Sequence, residues 1–228
     1  MYHLIGFEKN IQNIYRLSFP FIKEKEIQSV EDLRIPYLNF LESYQPQCPV
    51  NYSASLFIFD EALELQFKSA YNAGNLDGLI LSGLIGEAFP MDDKMKKAKL
   101  VTKALILIQE MDEQLFSLFN LTIHSIFIRN DKRILKAASA KQGGSSSGAI
   151  GVIWLTVNDN INEFDLADLL IHEMTHHLMF IDELNYPPLT YSEFQKKENG
   201  VHPSALRLNR PLDKMVQGII ASTELILS

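Results

Sequence analysis

The chain has 228 residues, of which 46% are hydrophobic and 21% charged, and its formal net charge is −7. That length and composition suit one large or two small soluble globular domains, and the acidic balance argues against nucleic acid and anionic membrane as partners. The one cysteine, Cys48, excludes an internal disulfide framework and fits a reducing cytoplasm; with no base beside it in a Pro-flanked stretch, it reads as structural.

Taken in order, residues 1–10 carry no basic leader before an apolar core, so no secretory signal is expected. Pro20, Pro36, Pro46 and Pro49 punctuate residues 1–50, which predicts short helices and loops, with His3 and the Lys23–Glu26 charge run on the surface. Leu56, Phe59, Leu63, Phe67 and Ala70 recur at helical spacing and predict a helix over 54–73. Residues 76–89 are apolar but hold Asp77, Glu87 and three glycines. The stretch is too short and interrupted to span a bilayer, and reads as a second, tightly packed helix. Val101, Ala104, Leu105, Ile108, Met111, Leu115 and Leu118 form one stripe and predict a single helix over 92–119, frayed at its lysine-rich start. Two strands follow, at 121–129 and 149–157, separated by a flexible Gly/Ser loop at 141–148. His124 lies on the first strand, where a histidine is ordinarily a packing residue.

The chemistry is concentrated in His172-Glu173-Met174-Thr175-His176. On an α-helix residues i and i+4 share a face, so His172 and His176 can bring two imidazole nitrogens to one metal ion. Glu173 sits one position round the helix, placed to act on a water bound to that metal rather than to ligate it. Asp165 is the expected N-cap, with Asp168 in the first turn. Leu166, Leu170, Met174, His177 and Ile181 line one side and Leu169, His172, Glu173, His176 and Phe180 the next, which predicts a buried central helix.

A catalytic metal site ordinarily takes three protein ligands and keeps an open position. Glu183 lies about 10 Å along the axis from His176, too far to share its ion. No third histidine follows at the spacing of the large zinc-protease class, where Met179 and Asp182 stand instead. The remaining candidates are His202, Gln217, Glu193, Glu198 and Glu224, with His202 the strongest on ligand chemistry. A final helix is expected after Arg210-Pro211, with Met215, Ile219, Ile220, Leu225 and Ile226 on its apolar side.

Residues from about 139 to 228 resemble the HExxH-motif family of peptide-modification proteins. The resemblance is carried by Gly148–Leu155 before the helix, His172–His176, Phe180–Glu183, Ser204–Arg207 and Arg210–Lys214. Members of that family are regarded as iron- and 2-oxoglutarate-dependent peptide β-hydroxylases that accompany ribosomally made, modified peptides in bacteria. The resemblance implies a divalent metal, 2-oxoglutarate and a peptide or protein substrate. It also implies a third histidine on the helix after the Arg-Pro segment, and that position falls on Gln217. Glutamine is a poorer ligand than imidazole, so metal binding is weakened there, His202 substitutes, or catalysis is lost. Arg207 and Arg210 are chemically suited to the 2-oxoglutarate carboxylate.

Two other readings compete with an oxygenase. A zinc metallopeptidase would use Glu173 as general base and bind an extended peptide at the edge of the 149–157 strand. A non-catalytic peptide-binding module would keep the fold and only a weak metal site. The expected fold class is α+β, mainly helical, with a small sheet beside the central HExxH helix. One domain is expected over 1–228, with a helical part to about residue 120 and a metal-site part over 121–228.

Overall fold

The computed structural model describes residues 1–22, 27–72, 83–131, 143–158, 160–186 and 212–227. The Lys23–Glu26 run and the first half of the 76–89 stretch lie outside them. The elements are α1 (Tyr2–Ile5), α2 (Phe7–Ser18), α3 (Arg34–Tyr44), β1 (Phe57–Ile58), α4 (Glu61–Asn72), β2 (Ile85–Ala88), α5 (Met91–Met111), α6 (Glu113–Thr122), β3 (Ser125–Asp131), β4 (Gly143–Gly144), β5 (Val152–Leu155), α7 (Glu163–Asn185) and α8 (Leu212–Leu227). The architecture is α+β and mainly helical, with a five-stranded mixed sheet.

Strand order is β1-β3-β5-β4, and β2 pairs with the far end of β3. β3 runs parallel to β1 and β5, while β4 runs antiparallel to β5. Side chains alternate across a strand, and the two faces bury different layers. Ile126, Ile128, Ile153 and Leu155 join the large core beneath α7. Phe127, Val152 and Trp154 point the other way, onto Phe67 and Tyr71 of α4. All four residues of β5 are buried, which is why it reads as an unbroken apolar run rather than an alternation. α7 therefore lies against the sheet on one face. Helices α2, α5, α6 and α8 also pack on it.

Several elements depart from the sequence reading, each for a local reason. Leu56–Phe59 is not helical: Phe57 and Ile58 pair with Ile126 and Phe127, and Asp60 Oδ1 accepts the Leu63 N–H, delaying the helix to Glu61. Residues 85–88, expected in a helix, form β2. Gly86 permits that pairing, since a Cβ there would lie 2.7 Å from the Asn130 carbonyl oxygen. The single helix over 92–119 is two. Asp112 takes extended dihedrals and caps the second through Leu115 N–H, and Asp92 and Asp93 in the first turn of α5 offset the lysines that follow. Leu121 and Thr122 close α6 rather than open β3. The Gly/Ser segment, as far as it is described, is not a loose loop: Gly143 and Gly144 form β4, and Ser146 accepts the Gly148 N–H in a buried turn. β5 lies between β3 and β4, and β4 pairs with its Trp154 and Leu155, so that part of its edge is taken rather than free for a peptide.

The last helix exposes Ile219 and Ile226, packs Ile220 against the core and buries Ala221 and Glu224, so part of the expected stripe faces outward; the Met215 and Leu225 side chains lie outside the described residues. Glu224 accepts the His3 and Leu4 N–H groups at 2.8 and 3.0 Å and lies 2.6 Å from the Met1 amino group. These bonds tie α1 to α8 and hold the Glu224 carboxyl below its ordinary range against the opposing effect of burial.

Candidate metal centre

The motif helix is capped three residues before the expected cap. Asn162 Oδ1 accepts the Asp165 N–H at 2.9 Å, so Asn162 is the N-cap and Asp165 falls in the first turn. Its C-terminal end is fastened to α2, where Asn13 donates to Asp182 at 2.8 Å and Asn185 donates to the Asn13 carbonyl at 3.2 Å. Leu166, Leu170, Met174, His177 and Ile181 are buried, as the periodicity predicts.

On the adjacent side the half-buried His172 and His176 rings stand nearly perpendicular, with their Nε2 atoms 3.2 Å apart. Two nitrogens each about 2.0–2.1 Å from one metal are about 3.2 Å apart when the angle between them is roughly 100°, within the range of tetrahedral and octahedral sites. The pair thus fits a divalent ion. Glu173 is 2% exposed and accepts from Ser145 Oγ at 2.5 Å. Glu173, His172 and His176 lie on one helix, and Ser145 reaches Glu173 from the end of β4.

The other expected ligands divide into two groups. Gln217 lies on α8, which packs against α7, and position 217 shares the helix face of the buried Ala221 and Glu224; its side chain is outside the described residues. His202, Arg207, Arg210, Glu193 and Glu198 also lie outside them. Glu224 is engaged by Met1, His3 and Leu4 and is withdrawn as a metal ligand. Among the described residues there is no cluster of three His, Cys, Asp or Glu, so a complete site draws its third donor from elsewhere.

Two further histidines are structural. His177 Nδ1 accepts the Gly151 N–H at 3.2 Å, and His124 Nδ1 accepts the Asn51 N–H at 3.3 Å. Gly151, at φ 86°, lies against the His124 ring; a Cβ there would be 2.6 Å from His124 Cδ2, so only glycine fits the turn into β5. Burial lowers both histidines from 6.5 to about 3. Their unfolded forms gain a proton below pH 6.5 that the folded forms refuse, so stability is full above 6.5 and falls as pH drops toward 3. Each should cost about 2 kcal/mol by pH 5. Urea unfolding of metal-free protein at pH 7 and pH 5 checks this; an unchanged midpoint would contradict it.

Cys48 is buried, and burial raises its thiol to about 12, which makes it unreactive at neutral pH. Tyr71 was not singled out by sequence. Its fully buried phenol is pushed well above its ordinary value by burial and then by the Glu173 charge, which places it in the surroundings of the site.

The fold and the pair define an α+β protein with an HExxH helix laid on a small mixed sheet. No family model matches the chain, and no curated protein matches it. Among the described residues no helix is long and apolar enough to cross a membrane.

Proposed function

We propose that this chain is a metal-dependent peptide-modifying enzyme of the cytoplasm, an iron- and 2-oxoglutarate-dependent peptide hydroxylase. The observation that carries the metal is the convergence of His172 and His176 Nε2 atoms to 3.2 Å; the resemblance carries the reaction. His172 and His176 would hold the ion, with Gln217 or His202 as the third donor. Arg207 and Arg210 would hold the carboxylate of 2-oxoglutarate. Ferrous iron with 2-oxoglutarate and dioxygen supplies the oxidising power to hydroxylate a carbon–hydrogen bond of the peptide. The two rings are half-buried on α7, neither sealed in the core nor fully in solvent.

Incubation with ferrous iron, 2-oxoglutarate, dioxygen and a peptide library tests the proposal. Peptide gaining one oxygen atom as succinate forms supports it. Cleavage by the zinc-loaded protein instead would select a metallopeptidase, a second reading favoured by Glu173 following His172 in the motif with its carboxylate held by Ser145. The net charge of −7 and the resemblance favour a peptide over nucleic acid, so tight, salt-sensitive binding to DNA or RNA at physiological ionic strength would count against the proposal.

With Gln217 as third donor, Gln217→His should tighten metal binding by about tenfold or more, because imidazole is the better ligand. Equilibrium dialysis reads this. Unchanged affinity, together with metal loss in His202→Ala, would move the third donor to His202.

A further inference from the structure

A glutamate side chain has three rotatable torsions, and nothing in its own helix fixes them for Glu173. The fixing comes from Ser145. Its Oγ lies 2.5 Å from Glu173 Oε2 and 3.1 Å from the Glu173 main-chain oxygen. One hydroxyl thus spans the side chain and the backbone of the same residue. The carboxylate cannot swing about its torsions without breaking the shorter contact, which has the length of a charge-assisted bond.

Ser145 is itself held. It follows directly on β4, whose Gly144 pairs with Trp154 of β5. The Tyr71 hydroxyl lies 2.8 Å from both the Gly144 and Val152 carbonyl oxygens and accepts the Trp154 N–H at 3.1 Å. With one hydrogen to give, it donates to one carbonyl at a time, and its three contacts stitch β4 to β5 at the residue before Ser145. The glycine at 143 lets the strand lie close, since a Cβ there would meet the Trp154 carbonyl oxygen at 2.8 Å.

We propose that Ser145 is the positioning residue for Glu173, braced through β4 by the Tyr71 hydroxyl. The proposal rests on the reading of Glu173 as the group that acts on solvent at a metal held by His172 and His176. Hydrogen bonds beyond the ligands tune a bound metal and its water, so the visible spectrum of cobalt(II) bound to the whole chain reports the carboxylate's placement without a substrate.

Cobalt(II) absorption and equilibrium dialysis of the wild type, Glu173→Gln, Ser145→Ala and Ser145→Thr test it. Ser145→Ala should bind cobalt at the wild-type stoichiometry and show the spectral shift of Glu173→Gln, and Ser145→Thr should return the wild-type spectrum. A Ser145→Ala spectrum that superimposes on the wild type while Glu173→Gln differs overturns the positioning role and leaves the metal reading standing. Loss of cobalt from Ser145→Ala overturns it too, as a merely structural role. No cobalt bound by the wild type, or no shift in Glu173→Gln, overturns the metal reading and the positioning role with it.

Discussion

His172→Ala and His176→Ala should each lower divalent-metal affinity by at least about 100-fold, equivalent to roughly 3 kcal/mol. The two Nε2 atoms converge to 3.2 Å on one helix face. Removing either ring leaves a single protein imidazole and whatever the third position donates. The helix should survive both substitutions: each ring is half-buried, alanine is the better helix former, and the Asn162 cap and the buried Leu166–Ile181 side are untouched. Dialysis against zinc or ferrous iron with a competing chelator, alongside far-ultraviolet circular dichroism, separates lost metal from lost fold. Stoichiometric metal in both variants would remove the pair from the site.

Glu64→Ala should destabilise the fold by about 3–5 kcal/mol, a large share of the total stability of an ordinary domain. Glu64 is fully buried, and so nearly are its two partners, Lys94 and Arg129. One carboxylate oxygen bonds Lys94 Nζ, and the other accepts from Arg129 Nε at 2.8 Å. Without Glu64, Arg129 keeps only the exposed Glu61 at 3.2 Å as an ionic partner among the described residues, and Lys94 loses the ionic partner that offsets its burial. The arrangement joins α4, α5 and β3, so the loss would be felt across the sheet. Urea unfolding measures the effect. Adding Lys94→Met to Glu64→Ala should recover part of it, because the stranded cation rather than the lost attraction carries most of the cost. A loss under about 1 kcal/mol in Glu64→Ala would contradict this account.

The motif helix and its two histidines were legible because their signal is local. A four-residue spacing fixes a shared face whatever surrounds it, and the apolar side of Leu166, Leu170, Met174 and Ile181 needed no partner to be recognised. β3 and β5 were legible as strands from their β-branched and aromatic runs. The break at Asp112 was readable in principle, as an aspartate followed by Glu113 ahead of an apolar run is a helix start. Other features had no local signature. β1 and β4 have two residues each, too few for any period, and exist because β3 and β5 lie beside them. Ser145 sits in a Gly/Ser run whose composition reads as loop, and its bond to Glu173 joins residues 28 apart. Glu64, Lys94 and Arg129 look like ordinary surface charges until the chain brings them together. Glu224 was missed on the inward face of α8 because, buried on Met1, His3 and Leu4, it counts as polar in any hydrophobic stripe.

X-ray absorption at the metal edge tests the central claim most directly, on protein loaded with one equivalent of zinc or ferrous iron. The account predicts a nitrogen and oxygen shell at about 2.0–2.1 Å, with outer-shell imidazole scattering that loses one ring in His176→Ala. A shell without imidazole scattering, or one unchanged by His176→Ala, would contradict it.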